Sequence, residues 1–254
     1  MLVQLREGRK QADVIIDLKV LPQANIMNLN GGLKLGAAVP CQRIYRDQAL
    51  AKAYPCLIDS ASLIGGMQIQ ARASLGGNLC NSSPAADSIP SLLVLGTMCH
   101  IRGPQGERTV PAHEFCTGVG TNVLQKGEYL ESFEFPGPAA RSGAAFLRFI
   151  PRNEMDIAVA NAAVWVQLDA SGQRIEDARV ALGAVAPTPL LVREAGEALK
   201  GQPAAAPDTR KMAEAARAAC RPITDMRGSA DQRRHLAGVL AERALKIAVE
   251  RATA

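Results

Sequence analysis

Between Ser74 and Asp87 the chain reads SLGGNLCNSSPAAD, a stretch that gathers groups able to hold an anion. Gly76 and Gly77 carry no side chain, so their backbone N–H groups can approach an anion that a Cβ would hold off. Ser74 and Asn78 flank the pair with side-chain donors. Ser83 reads as an N-cap and Pro84 as the first residue of a helix whose positive end faces the same anion. Donors on both sides of the glycines suit a pyrophosphate better than a single phosphate. Asp87, one turn into that helix, is placed to accept from ribose or ribityl hydroxyls. A Gly-Gly pair is also a common tight turn, and the residues alone leave both readings open. Neither GxGxxG nor GxxxxGK occurs, which removes the two commonest nucleotide-binding signatures.

The remaining reactive side chains are dispersed. Cys41, Cys56, Cys80, Cys99, Cys116 and Cys220 lie 15 or more residues apart with no CxxC pair. That spacing argues against zinc and iron–sulfur ligation and for reduced, mostly buried thiols. His100, His113 and His235 are too scattered for a metal site or a triad. The formal charge is +5, and from Lys200 onward 11 Lys and Arg stand against 6 Asp and Glu, so this tail holds the whole excess. Its cations are spaced along alanine-rich helices without an aromatic residue to stack a base, the pattern of solvated helix faces rather than a nucleic-acid site.

Elements must position the glycine segment, and 254 residues with 48% hydrophobic and 21% charged composition supply a folded chain of one large domain or two small ones. No apolar run approaches the roughly 18 to 20 residues of a membrane span, and Met1 to Lys10 is too charged for a secretory signal, so a soluble cytoplasmic chain is expected. Val14 to Lys19 and Gly32 to Val39 read as strands around an Asn30-Gly31 turn. Helices are expected over Cys41 to Ala53, Leu57 to Ile64, and from the glycine segment to near Leu95. Strands follow at Met98 to Arg102, Arg108 to Pro111 and Tyr129 to Phe135. Pro136-Gly137-Pro138 is the strongest punctuation and divides residues 1–136 from 142–252. Beyond it, Ala144 to Phe149, Ala162 to Leu168 and Ile175 to Ala186 read as three strands. A capping box at Ser229 and Gln232 then opens a helix with the stripe Leu236, Leu240, Ala244 and Ile247.

The glycine segment, preceded by Ile64 to Ile69 (IGGMQI), and five further motifs in order carry a family resemblance: GLKLGAAV at Gly32, GEYLESFEFP at Gly127, RNEMDIA at Arg152, LGAVAPTP at Leu182 and DMRGSADQRR at Asp225. Together they resemble the flavoprotein (medium) subunit of molybdenum hydroxylases, the family of carbon monoxide dehydrogenase and xanthine dehydrogenase. The resemblance implies an α+β fold: an FAD-binding region of the PCMH (vanillyl-alcohol-oxidase-like) type, then a C-terminal antiparallel three-stranded sheet with a helical layer. It implies that Ser74, Gly76, Gly77 and Asn78 hold the FAD pyrophosphate, that Asn81 and Asp87 bond further along the cofactor, and that Leu130 and Arg148 lie near the isoalloxazine ring. Arg152 and Asp156 are expected to brace the two regions.

The implied role is electron relay to NAD, oxygen or a quinone, with molybdopterin and 2Fe-2S clusters carried on partner subunits. The family's first glycine-rich FAD loop precedes the segment equivalent to Leu2 to Arg6, so a chain starting at Met1 is expected to be truncated there. The alternative is a structural subunit that no longer binds FAD.

Overall fold

The computed structural model describes residues 2–9, 11–153 and 155–254. Met1, Lys10 and Glu154 lie outside the described residues, so the last of the N-terminal charges and the third residue of the RNEMDIA motif are not described. The first half contains α1 (Leu2–Arg6), β1 (Met27–Leu29), β2 (Leu33–Gly36), α2 (Cys41–Tyr45), α3 (Gln48–Ala53), α4 (Pro55–Ala61), α5 (Met67–Gln70), α6 (Leu75–Asn81) and α7 (Ser88–Val94). Next come β3 (Met98–Gly103), β4 (Gly106–Pro111), α8 (Ala112–Phe115), the short β5 (Cys116–Gly118) and β6 (Thr121–Asn122), and β7 (Tyr129–Phe135). The second half holds β8 (Ser142–Phe149), β9 (Ala160–Leu168), β10 (Ile175–Gly183), β11 (Leu190–Leu191), α9 (Arg193–Glu197), α10 (Arg210–Ala219) and α11 (Ala230–Thr253). None of the described helices is long and apolar enough to cross a membrane.

The N-terminal sheet is antiparallel in the order β1-β2-β7-β3-β4. Leu33 and Leu35 of β2 and Phe133 and Phe135 of β7 point into a core shared with α2, α4 and α7. Val14 to Lys19, expected as a strand, is irregular as far as Asp17 and then enters a 3-10 turn at Leu18–Val20. The reason is competition for the edge of β2: β1 occupies one side across the Asn30-Gly31 turn and β7 the other, so no ladder remains. The long helix expected over Cys41 to Ala53 breaks in two because the Asp47 carboxylate accepts from the Leu50 N–H at 3.0 Å and caps a new helix.

In the C-terminal sheet, β8, β9 and β10 are the three expected strands, with the two-residue β11 added on the edge. Of Ala160–Leu168 only Gln167 escapes burial, because both sheet faces are covered. Ala145, Val164, Val166, Val180 and Leu182 pack beneath α11. Small residues bring that helix close: a Cβ on Gly143 would collide with the Ala248 carbonyl and lie 2.6 Å from the Ala252 nitrogen. The opposite face, with Phe146, Ala163 and Trp165, joins the N-terminal core. As the capping box predicts, the Ser229 hydroxyl accepts from the Gln232 N–H at 3.1 Å.

Among the described residues two ion pairs cross between the sheets' regions: Arg251 grips Asp59 through two bonds of 2.6 and 2.9 Å, and Arg148 meets Asp87 at 2.7 Å. Arg152 and Asp156, expected in that bracing role, instead form a local pair at 3.5 Å, with Arg227 4.0 Å from the same carboxylate. The tail's cations also divide. Arg210 and Arg234 pair with acids on the exposed surface, whereas Arg233 is buried and Arg251 turns inward.

Candidate functional site

The glycine segment forms a loop followed by α6, and its parts have separate tasks. Ser74 is extended and caps the helix, its hydroxyl accepting from the Gly77 N–H at 3.1 Å. The Gly76 N–H donates to the Ala37 carbonyl at 3.1 Å, and a Cβ on Gly76 would overlap that carbonyl and the Ala37 side chain. Gly76 is therefore a packing glycine that lets the helix start lie against the loop after β2. Gly77 faces solvent, and a Cβ there would meet only the Ser74 hydroxyl, at 3.3 Å. The two adjacent N–H groups expected to await an anion are thus engaged within the fold; Gly77 keeps the open approach.

Asn78 also works inside the fold: its Oδ1 accepts from the Ser88 N–H at 3.2 Å and from the Ser88 hydroxyl at 2.6 Å. Asn81 ends α6 with its side chain exposed. The helix expected to begin at Ser83-Pro84 is a turn, in which the Ser83 hydroxyl accepts from the Ala85 N–H at 3.3 Å. A helix from Pro84 needs the bond from the Ser88 N–H to the Pro84 carbonyl. Both groups are taken, the carbonyl by the Ala184 N–H at 2.6 Å and the N–H by Asn78. So α7 begins at Ser88, and Asp87 stands just before it rather than one turn inside.

That displacement sends Asp87 into the C-terminal sheet. Its Oδ2 accepts from Arg148 Nη1 at 2.7 Å, and the two side chains are only 12% and 7% exposed. Burial pushes the Asp87 carboxyl up to about 6 against the opposing pull of Arg148. The Asp87 Oδ1 has no hydrogen-bond partner. Asn161, paired with Arg148 across β8 and β9, is buried beside it and also favours the charged carboxylate, yet its amide oxygen and nitrogen make no bond of good geometry. A buried unsatisfied polar atom costs about 1–3 kcal/mol, so a hydroxyl reaching this point would meet acceptors and a donor already in place.

An apolar groove of about 320 Å³ runs past the same turn, with Pro84, Val119, Ile157, Ala184, Pro187 and Ile223 among its walls. Arg233 shapes it from below: Nη1 donates to the Val159 and Ala184 carbonyls at 2.6 and 3.2 Å, and Nη2 pairs with Asp225 at 2.7 Å. This holds Ala184 at φ +63°, a conformation unusual for alanine, with its N–H aimed at Pro84. No local pattern marks the groove, although exposed Ile157 lies in the RNEMDIA motif and exposed Ile223 just before DMRGSADQRR. Leu130 lies elsewhere. It is 2% exposed, faces the N-terminal core opposite Ile101, and offers no surface to the groove. Ser74, Gly77, Asn78, Asp87 and Arg148 are brought into one neighbourhood through α6 and the start of α7.

The residues present fit a flavin dinucleotide: an open glycine at a capped helix start, an unpaired buried carboxylate oxygen for a hydroxyl, and an apolar slot of ring size. Residues 1–138 match the profile of the FAD binding domain in molybdopterin dehydrogenase, and residues 145–248 that of the CO dehydrogenase flavoprotein C-terminal domain. The chain is 29% identical over 252 residues to the xanthine dehydrogenase FAD-binding subunit of Escherichia coli O157:H7, covering 98% of this chain and 86% of that protein. It is 33% identical over 218 residues to the carbon monoxide dehydrogenase medium chain of Afipia carboxidovorans, covering 86% and 75%. Among solved structures, a cyanide-inactivated Cu,Mo-CO dehydrogenase superposes with a TM-score of 0.91 at 28% identity, covering 98% of this chain and 87% of that one.

Proposed function

The chain belongs to the FAD-binding medium subunits of xanthine and CO dehydrogenase-type molybdenum hydroxylases, and from that premise we propose that it relays electrons between iron–sulfur clusters of a partner and an external acceptor. Bound FAD would supply the exchange between one- and two-electron chemistry that such a relay needs. The chain's own residues bind and orient. Gly77 gives the diphosphate side an approach free of side chains. Asp87 Oδ1 accepts from a hydroxyl of the linking polyol, and Arg148 holds the other carboxylate oxygen in place. The walls around Pro84 and Ile157 exclude water from the ring. The partners are a 2Fe-2S subunit and a large molybdopterin subunit, and the acceptor is NAD, oxygen or a quinone.

The observation that carries this reading is the buried Asp87 carboxylate with one oxygen paired and the other unpartnered, three residues along the chain from the Pro84 wall of the groove. The test is the flavin content of the complex purified with its partner subunits, read from absorbance at about 450 nm. Wild-type protein is expected to carry FAD and the Asp87→Ala variant to lose most of it. A wild-type complex that assembles and turns over without flavin would sink the relay and leave a structural subunit.

A further inference from the structure

On the face of the C-terminal sheet that meets the N-terminal region, Ala144, Trp165 and Arg179 stand in one row across β8, β9 and β10. They form one wall of a cleft of about 450 Å³, away from the groove described above, whose other walls include Tyr54, Leu95 and the Pro136-to-Ala139 linker, with Lys52, Asp177 and Arg251 also on the lining. The Arg179 guanidinium lies over the Trp165 ring, 4.2 Å from its centroid. One of its nitrogens donates to the Val94 carbonyl at the end of α7, at 2.9 Å. Gly96 makes that reach possible: it has φ +67°, and a Cβ there would lie 2.9 Å from the guanidinium. The linker wall is fixed as well, because the Tyr54 hydroxyl donates to the Pro136 carbonyl at 2.9 Å.

Arg179 differs from Arg148, Arg233 and Arg251 in its lack of a carboxylate. Arg148 has Asp87, Arg233 has Asp225 and Arg251 has Asp59. Asp177, two residues before Arg179 on the same strand, is within Coulombic range but pairs with Lys200 at 3.2 Å. Burial draws the Arg179 pKa below its ordinary value, the sign of a cation short of compensation. Such a charge, half withdrawn from water and with most of its donors free, is stabilised by an anion that can bond along the guanidinium edge.

We propose that this cleft is a binding site for a small aromatic monocarboxylate, its carboxylate on Arg179 and its ring between Trp165 and the Pro136-to-Ala139 linker. Of the other charged groups on the lining, Arg251 is paired with Asp59, Asp177 with Lys200, and Lys52 stands exposed at the rim, so the half-buried guanidinium without a carboxylate calls for a single negative charge. The apolar walls of proline, leucine and tryptophan call for a flat hydrophobic body. Since the ligand would touch the sheet, the linker and the end of α7 together, binding stiffens the contact between the two regions.

The chain contains one tryptophan, so Trp165 fluorescence reports the cleft directly. Benzoate is titrated into the full chain, with acetate, inorganic phosphate and sodium chloride at matched ionic strength as comparators. A saturable change is expected with benzoate, weaker binding with acetate, and none with chloride. Arg179→Met is expected to weaken benzoate about tenfold or more, with Arg179→Lys between the two. Ala139→Phe fills the rim without touching Arg179 and is expected to block binding, which keeps the test valid if Arg179→Met folds poorly. No saturable signal up to about 10 mM benzoate, a range that reaches affinities weaker than millimolar, overturns the proposal. So does equal binding of acetate, or unchanged benzoate binding in both Arg179→Met and Ala139→Phe.

Discussion

The two halves of the chain solve the problem of building a sheet with a helical cover in opposite ways. In the C-terminal half, three strands of 8 or 9 residues lie under one 24-residue helix. In the N-terminal half, none of the helices α1 to α7 exceeds seven residues, below the length at which a helix holds itself in water. Those short helices are fixed by individual bonds from elsewhere, such as Ala37 to Gly76 and Asn78 to Ser88. The candidate site sits on the short pieces but borrows rigidity from the long ones. Arg148, Asn161 and Ala184 all belong to the C-terminal half and are what aim Asp87 and Pro84.

The sharpest way to break this dependence is Asp87→Ala, which leaves Arg148 buried without its partner. A loss of about 3–5 kcal/mol is expected, measured by chemical denaturation, together with loss of flavin. Gly76→Ala comes next, at about 1–3 kcal/mol, because its methyl must displace the Ala37 carbonyl. Gly77→Ala, one residue on and open to solvent, is expected to change stability by no more than about 0.5 kcal/mol. Equal effects of the two glycine variants would deny the division of labour between them.

Proton linkage probes the same junction. The folded Asp87 carboxyl titrates near pH 6, above its usual value of 3.8, so the folded state binds the extra proton between those limits. Stability from this group is therefore present at low pH and declines as pH rises from about 4 to about 6. In melting temperatures of the flavin-free protein, Asp87→Asn is expected to remove that decline. A hydroxyl ligand on Oδ1 favours the charged form, so the decline should also shrink when flavin is bound. The smallest effect belongs to the self-supporting half: Ser229→Ala removes the cap of α11 at a cost of about 1 kcal/mol and leaves flavin content unchanged.

The same contrast explains what the sequence makes legible. Strands β8, β9 and β10 and helix α11 show themselves through short apolar runs and a capping box, all local signals. The three strands of GEYLESFEFP, MCHIR and RTVP are equally readable. Val14 to Lys19 was misleading because β-branched composition does not say whether a sheet edge is free. The Ser83 helix was misleading because the groups that terminate it, Ala184 N–H and Asn78 Oδ1, are not neighbours of Pro84 in sequence. Within the site, Ser74 and Gly76 stand out by their types, but their tasks in the fold, a helix cap and a close contact with Ala37, differ from the anion contacts expected of them. The Asp87–Arg148 contact joins residues 61 positions apart, and its neighbour Asn161 carries no motif that local spacing could expose. The Arg152–Asp156 brace failed for the converse reason: a four-residue spacing favours a local pair over a distant one.

The bond from Ala184 N–H to the Pro84 carbonyl bears on exchange of the halves. The Pro84 turn and the C-terminal strand end are tied together across about a hundred residues, so the two halves meet through a fixed main-chain contact. A chimera that joins the first half of this chain to the second half of a relative must bring along residues that hold the Ala184 backbone, Arg233 among them. Exchange of halves at the Pro136-Gly137-Pro138 junction is then expected to keep stability only where the incoming half supplies an arginine at the Arg233 position to hold Ala184, which denaturation of the chimera checks.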